Sequence, residues 1–179
     1  MLGMFYGKLS SAITLAYRCC FFLIIAIICL CYESTTMSTT INSKIVGAFH
    51  GFHGGAVFRL TNGQAWQQKR YEYKYRYKFR PSVQIVSDGN AHMLYLDCMD
   101  EPIAVVRVSI VEEGTIVSEF NGFSDEARFE FESGRVWVPA EYKYHYHYAH
   151  RPHGIIVSGI NGSQLSVEGM NETLRVQQV

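Results

Sequence analysis

The sequence has few cysteines outside its N-terminal segment and no excess of charge of either sign. Four of the five cysteines lie within residues 19–31, and Cys98 is the fifth. One thiol cannot form an internal bridge, so a disulfide framework is excluded for the rest of the chain. Lysine plus arginine and aspartate plus glutamate each number 16, so the net charge is zero and selects no particular partner.

The sequence also lacks the motifs that carry catalysis. It contains no nucleophile elbow, no phosphate-binding loop and no Cys/His motif with metal-ligand spacing. We therefore predict that the protein is not an enzyme, and the sequence implies no cofactor.

The longest uncharged run lies near the N-terminus. Residues 19–32 carry no charge, and with the weaker run before them residues 11–32 are long enough to cross a bilayer as an apolar helix. Lys8 and Arg18 precede this core and Glu33 follows it, so the positive-inside rule places the C-terminal part outside the cytoplasm. We predict an uncleaved signal anchor within residues 1–36. A cleaved signal peptide is the weaker alternative, because no small-residue cleavage site follows.

A second interpretation of the N-terminus begins at Met37. The sequence MSTTINSK that starts there has the polar character of an ordinary protein start. On this interpretation residues 1–36 are a non-native extension, and the protein is soluble and cytoplasmic.

The remainder of the chain repeats itself after 71 residues. Residues 45–108 align with residues 116–179 without a gap, and 24 of the 64 aligned pairs are identical. Self-similarity at a fixed interval is the pattern of a tandem duplication. We predict two β-modules over these ranges, with linkers at 37–44 and 109–115.

Each copy has the pattern of short strands. Apolar residues recur at every second position, as at Phe58 and Leu60, and turns rich in glycine, asparagine or aspartate separate the runs. The predicted fold is all-β, with each copy a small SH3-like barrel or sheet of five to six antiparallel strands. Two separate barrels and one sheet-on-sheet sandwich both fit this pattern.

The turn after residue 60 can be specified further. A two-residue turn would force Ser133, the counterpart of Asn62, to a positive φ that serine tolerates poorly. A three-residue loop leaves Gly63 and Gly134 alone in the left-handed conformation. This loop also turns both tryptophans toward the core. The facing pairs would then be Phe58/Trp66 and Phe129/Trp137.

Two segments alternate tyrosine with other residues, YEYKYRYKF (71–79) and YKYHYHYAH (142–150). In a strand the tyrosines share one face and the intervening residues share the other. The tyrosine face either packs in the core and between the copies or forms an exposed platform that stacks on bases, sugars or other planar ligands. The candidate ligand-binding residues are Tyr71, Tyr73, Tyr75, Tyr77, Tyr142, Tyr144, Tyr146 and Tyr148.

The residues between the tyrosines bear on two other classes of ligand. His145 and His147 would share a strand face about 6.6 Å apart, which makes them a weak metal-ligand alternative. Their counterparts are Lys74 and Arg76, so a solvated cationic face is the simpler interpretation. Copy one has eight Lys/Arg and five Asp/Glu, whereas copy two has five and eight. This asymmetry argues against a nucleic acid partner, which would need a basic face in each copy.

The segment GFHGGAVFRLTNGQAWQQKRYEYKYRYKFRPSVQIV (51–86) resembles small uncharacterised bacterial β-rich proteins, some of them carried on integron gene cassettes. The shared features are Asn-Gly, Trp-x-Gln, alternating aromatic residues and a following proline. The resemblance covers both copies, although copy two departs from it at Ser133 and Pro139. It implies a bacterial β-module, favours a start at Met37 and transfers no activity.

These observations predict a non-enzymatic tandem β-module that is anchored to a membrane by residues 11–32. An unknown protein or small ligand would bind through the aromatic strands, and the sequence also allows a homo-oligomer. The alternative is a soluble cytoplasmic protein that starts at Met37 and binds nucleic acid or a small ligand.

Overall fold

The computed structural model describes residues 38–179, and their regular structure consists of antiparallel β-strands. The predicted all-β class is therefore confirmed for this part of the chain. The predicted N-terminal helix and the membrane span at residues 11–32 lie outside the described residues. Within residues 38–179 no helix is long and apolar enough to cross a membrane.

Fifteen strands follow one another through the described residues. The first seven are β1 (Thr39–Lys44), β2 (Ala48–Phe52), β3 (Val57–Arg59), β4 (Ala65–Gln68), β5 (Lys74–Phe79), β6 (Ser82–Asp88) and β7 (Ala91–Leu96). The longest is β8 (Ile103–Thr115). The last seven are β9 (Gly122–Phe123), β10 (Phe129–Glu130), β11 (Val136–Pro139), β12 (His145–Tyr146), β13 (His153–Gly159), β14 (Gly162–Val167) and β15 (Thr173–Gln178).

The first half closes into a barrel. Its hydrogen-bonded neighbours follow the order β1-β6-β7-β8-β4-β3. The chain after β1 returns to β3, since Val46 N donates to Arg59 O (2.8 Å) and Thr61 N donates to Lys44 O (2.9 Å). Closure covers the strand edges that an open sheet would leave exposed.

The second half closes in the same way. The C-terminal part of β8 takes the place of β1, and the order is β8-β13-β14-β15-β11-β10. The closing bonds run from Val117 N to Glu130 O (2.7 Å) and from Glu132 N to Thr115 O (3.0 Å). These donors and acceptors lie 71 residues after those of the first barrel. Strand pairing therefore recurs at the interval found in the sequence.

The two segments that the sequence analysis assigned as linkers contain β-structure. In the segment 37–44, β1 begins at Thr39, and residues 109–115 form the C-terminal part of β8. Each segment supplies the strand that completes a barrel, so the linker interpretation of both was wrong in the described part. With β2 and β5 added to the six strands of the ring, the first half also has more strands than the predicted five to six.

The predicted three-residue loops are confirmed. Gly63 and Gly134 have φ values of +88° and +82°. Each tryptophan lies opposite a phenylalanine in its hairpin and is almost fully buried. The pairs are Phe58/Trp66 and Phe129/Trp137.

Each barrel encloses its own hydrophobic core, and most core positions correspond between the two. The first core includes Ile45, Phe49, Phe52, Phe58, Leu60, Trp66, Ile85, Leu94, Ile103 and Val105. The counterparts in the second core are Ile116, Phe120, Phe123, Phe129, Phe131, Trp137, Ile156, Leu165, Leu174 and Val176. The described residues therefore form two separate barrels rather than one sandwich with a shared core.

The two barrels contact each other through different faces. Ala65 of β4 in the first barrel packs in one buried cluster with Ile155 and Val157 of β13 in the second. Such a head-to-tail contact uses a different surface on each partner.

Gln67 of β4 crosses this junction and is 1% exposed. Its amide nitrogen donates to Gly55 O (3.3 Å) and to Gln164 Oε1, and its amide oxygen accepts from Ile160 N (2.8 Å). At Gly159, an added Cβ would lie 2.7 Å from the Gln67 oxygen, so the close approach requires glycine. Buried polar groups need such partners, and these bonds fix the position of one barrel against the other.

Candidate ligand-binding surface

The tyrosines of both segments point toward solvent. The exposed fraction falls from 81% at Tyr71 to 58% at Tyr77, and from 84% at Tyr142 to 63% at Tyr148. The interpretation that places these rings in the core was therefore wrong, and both segments present an exposed aromatic face. Row 1 denotes Tyr71, Tyr73, Tyr75 and Tyr77, and row 2 denotes Tyr142, Tyr144, Tyr146 and Tyr148.

Part of each row lies on a two-stranded sheet beside its barrel: Tyr75 and Tyr77 lie in β5 and Tyr146 lies in β12, whereas the other five tyrosines lie outside the strands. β5 pairs with β2, and β12 pairs with β9. Gly51 and Gly122 have φ values of +104° and +96°, and a Cβ at either would overlap the backbone of the facing tyrosine strand. Glycine at these two positions therefore allows the strands to approach, which explains why both copies retain it. Phe52 and Phe123 lie in the two cores and attach the two-stranded sheets to the barrels.

The residues between the tyrosines of row 1 reach back to the barrel. Their acceptors lie in the turn between β7 and β8. The contacts are Lys74 with Glu101 (3.6 Å), Lys78 with Asp97 (2.9 Å) and Arg76 Nε with the Cys98 carbonyl (3.1 Å). Burial alone would raise the pKa of Asp97, but hydrogen bonds from Lys78 and Ser82 lower it overall. Lys74 and Lys78 are each 42% exposed, so this face is solvated, as predicted, and its cations also contact the turn.

Row 2 is anchored in the same manner. Lys143 Nζ donates to Thr173 O (2.8 Å) and pairs with Glu172 (2.9 Å), and His145 Nδ1 lies 3.3 Å from the same carboxylate. The hydrogen bond from Lys143 lowers the pKa of Glu172 against the opposing effect of burial. In both halves a carboxylate of the following turn holds the cationic face inward, which leaves the rings outward.

A cleft of about 340 Å³ lies between the two barrels. One wall includes β2, β3 and the residues before β2, and the other includes residues 166–170, from the end of β14 into the turn before β15. The polar side chains that line it are His50, His53, Arg59, Glu113, His153, Ser166 and Glu168. His50 and His53 were not predicted from the sequence.

Row 1 borders this cleft, although none of the eight tyrosines is among its lining residues. The ring of His50 on the first wall lies 5.5 Å from that of Tyr77, centroid to centroid. On the opposite wall, Gly169 packs against the imidazole of His147, whose Nε2 would lie 3.3 Å from an added Cβ. Row 1 therefore ends beside one wall of the cleft, whereas His147 lies behind the other wall, on the face of its segment opposite the row 2 tyrosines.

His53 is the most perturbed titratable group of the cleft. Burial lowers its pKa, and the nearby Lys143 ammonium and His50 lower it further. A hydrogen bond with the Gly54 backbone and the charge of Glu172 act in the opposite direction. The imidazole is therefore held in its neutral form, which can both donate and accept a hydrogen bond.

The metal alternative at His145 and His147 gains no support from the structure. Within residues 38–179 no group of three His, Cys, Asp or Glu side chains is arranged to hold a metal ion. His145 instead contacts Glu172, and His147 lies against Gly169.

Comparisons with protein-family models, with curated proteins and with solved structures each found no match. The resemblance to cassette-encoded bacterial proteins thus stays a prediction from the sequence.

Proposed function

We propose that the protein is a non-enzymatic binding module that takes up an uncharged, ring-containing ligand on its tyrosine rows. The observation that carries this proposal is the outward orientation of eight tyrosines while the intervening cations face the barrels. Burial would stabilise these rings, so a surface that exposes all of them is typical of an interaction site.

The charge distribution supports an uncharged ligand over a nucleic acid. Binding to phosphates requires lysine and arginine that are free to replace counterions. Lys74, Lys78 and Lys143 are instead paired with carboxylates on the face opposite the tyrosines. The rows present tyrosine ring faces, which stack on uncharged rings, and hydroxyl groups, which form hydrogen bonds with them.

The domain organisation belongs to the same proposal. We regard the two halves as a tandem duplication of one small SH3-like barrel, because both the residues and the strand pairings recur after 71 positions. We place the module at the outer surface of a membrane, held by residues 11–32, because that uncharged run follows Lys8 and Arg18.

A soluble form that begins at Met37 is the second candidate. It is favoured by the polar sequence MSTTINSK, which begins at Met37 and runs directly into β1 at Thr39. Fractionation of cells with an antibody against the C-terminus, together with the mass of the mature chain, distinguishes the two forms. Recovery in the membrane fraction at full mass supports the anchor, and recovery in the soluble fraction at the mass of residues 37–179 contradicts it.

A binding screen tests the role of the rows. Thermal shift and tyrosine fluorescence are recorded with neutral oligosaccharides, with nucleosides and with poly(dT). We expect a response to an uncharged ligand that Tyr73→Ser combined with Tyr75→Ser abolishes. Tyr95→Ser is the matched control, since Tyr95 is also exposed (42%) but lies on β7, outside the rows. A response to poly(dT) alone, or one that the row variant leaves intact, would contradict the proposal.

A further inference from the structure

We propose that the protein associates head to tail with further copies of itself, through faces that repeat the junction between its own two barrels. The partner is therefore a second copy of this chain. The surfaces concerned lie outside the tyrosine rows, so this inference goes beyond the proposed function and does not depend on it.

The junction within one chain uses a different face of each barrel. The β4 face surrounds β4 in the first barrel and consists of Val57, Ala65, Gln67 and Val108. The β13 face lies on β13 and β14 of the second barrel and consists of Ile155, Val157, Gly159 and Gln164. Because the chain is duplicated, each barrel also carries the counterpart of the face that the other barrel uses.

These two counterpart faces do not take part in the junction. The β6 face lies on β6 and β7 of the first barrel and consists of Gln84, Val86, Asp88 and Met93. The β11 face surrounds β11 in the second barrel and consists of Arg128, Val136, Val138 and Val179. Within residues 38–179 the side chains of both faces are half-buried or exposed, and Val179 is 65% exposed. Apolar side chains grouped on a free sheet face are typical of an interaction surface.

The strand pairing places the counterparts in equivalent positions. Val86 lies opposite Met93 in the β6–β7 pair, as Val157 lies opposite Gln164 in the β13–β14 pair. A contact between the β11 face of one chain and the β6 face of the next can therefore follow the geometry of the junction within one chain.

The central contact of the junction differs from its counterpart at both members. In the junction the side-chain amide of Gln67 bonds to that of Gln164. Their counterparts, Val138 and Met93, are both apolar. A contact between chains would therefore replace an amide pair by an apolar pair. A change at one member alone would leave a buried amide without its partner, which is costly.

A second difference fits the first. Gly159 is required in the junction because an added Cβ would lie 2.7 Å from the side-chain oxygen of Gln67. Its counterpart on the β6 face is Asp88, which has a Cβ. The residue that would face Asp88 is Val138, which is shorter than glutamine and has no side-chain oxygen. The overlap that demands glycine within one chain is thus absent between chains.

The charges of the two barrels favour the same arrangement. Copy one has eight Lys/Arg and five Asp/Glu, and copy two has five and eight. A head-to-tail contact brings the second barrel of one chain against the first barrel of the next, so net charges of opposite sign meet. Such complementarity speeds association and disfavours contact between two identical barrels.

This type of contact determines the form and strength of the assembly. Each added copy leaves one β6 face and one β11 face free at the ends, so association continues to a filament or to a closed ring. Separate chains lose translational and rotational freedom that the covalent link spares the junction within one chain, so we expect association at about 100 µM and monomers at about 1 µM.

Sedimentation velocity of the full-length chain in a neutral detergent tests the proposal. The wild type should form species larger than a dimer at about 100 µM. Val138→Lys and Met93→Lys each place a charge in one face and should weaken association about tenfold or more. A mixture of the two variants should form dimers and nothing larger, because each variant retains the face that the other has lost.

The controls separate this contact from the rows and from misfolding. Tyr73→Ser combined with Tyr75→Ser leaves both faces intact and should associate like the wild type. Tryptophan fluorescence checks that each lysine variant is folded. Val179→Lys and Gln84→Lys, at exposed positions of the same two faces, take the place of a variant that fails to fold.

Three results would overturn the proposal. The first is a wild type that stays monomeric at about 100 µM. The second is association that both lysine variants leave intact, which would mean that the chains meet elsewhere. The third is a mixture of the two variants that forms no dimers, since only a head-to-tail contact allows such variants to complement each other. Ligand binding by the rows is decided by the earlier screen in each of these cases.

Discussion

The second barrel contains an ion pair with one buried member where the first barrel has neutral residues. Glu112 is 4% exposed, its carboxylate pairs with Arg135 Nε, and the Arg135 side chain is 43% exposed. The counterparts of these residues are Ile41, which packs against the first core, and Gln64, whose side-chain oxygen accepts from Trp66 Nε1 (3.2 Å). In the described part of the chain, the indole N–H of the second tryptophan has no such acceptor. The first barrel therefore provides a neutral reference, at the equivalent positions, for a mutational test of this ion pair.

We predict that Arg135→Gln destabilises the protein. The substitution leaves the buried Glu112 carboxylate without its cation, and because Arg135 is 43% exposed we expect a cost of about 1–3 kcal/mol, below that of a pair buried at both partners. Adding Glu112→Ile rebuilds the combination of the first barrel and supplies an acceptor for the indole N–H. Replacement of a buried pair by apolar packing is often neutral or stabilising, so the double variant should return to within about 1 kcal/mol of the wild type or exceed it.

Urea unfolding followed by tryptophan fluorescence measures both variants and their coupling. The matched control is Gln64→Ala in the first barrel, which removes one hydrogen bond and should cost only about 1 kcal/mol. A loss below about 1 kcal/mol for Arg135→Gln, or a double variant no more stable than the single one, would refute the reasoning. Either result would show that the carboxylate is solvated or paired elsewhere.

Three further predictions concern the junction, the rows and the cleft. Gln67→Val should lower the free energy of unfolding by about 1–3 kcal/mol, because it removes the partner of three part-buried hydrogen bonds. In urea titrations, Val138→Gln at the counterpart position should change it by less than about 0.5 kcal/mol. Tyr75→Ser should also stay within about 0.5 kcal/mol because its ring is 65% exposed, and a larger loss would mean that row 1 supports the fold. His53 has a lowered pKa in the folded state, so the unfolded chain takes up the proton first and stability should fall as the pH drops below about 6.5. His53→Asn should flatten that dependence between about pH 7.5 and 5.5, whereas removal of the exposed His153 should not; equal slopes for both variants would contradict this assignment.

The repeat and its turns could be predicted from the sequence because their causes are local. The Ser133 counterpart of Asn62 excludes a two-residue turn, and the glycine that follows supplies the positive φ. The register of each hairpin then follows from loop length. The linker assignment at 109–115 failed because this segment shares little sequence with 38–44, although the two have equivalent pairing partners.

The orientation of the tyrosines could not be predicted from alternation. A period of two separates the residues into two faces without showing which face lies against the protein. The orientation depends on carboxylates elsewhere in the sequence that pair with the lysines of the two segments. These are Asp97 and Glu101 in one turn and Glu172 in the equivalent turn. The identity of Glu101 and Glu172 between the copies was a usable signal. The cleft could not be predicted because it forms where the two barrels contact each other, and the sequence pattern of a single copy does not show which faces will meet.

The continuity of β8 has a mechanical consequence. The first part of this strand pairs with β4 and β7 and its last part pairs with β13, with a bulge between Ile110 and Glu112, so one continuous strand belongs to both barrels. No loop interrupts residues 103–115 between the two barrels, so a force applied to the C-terminal barrel acts directly on the sheet of the first barrel. Proteases that cleave flexible loops should therefore not cleave within residues 103–115. A truncated protein that contains only one barrel would have to begin or end within strand β8.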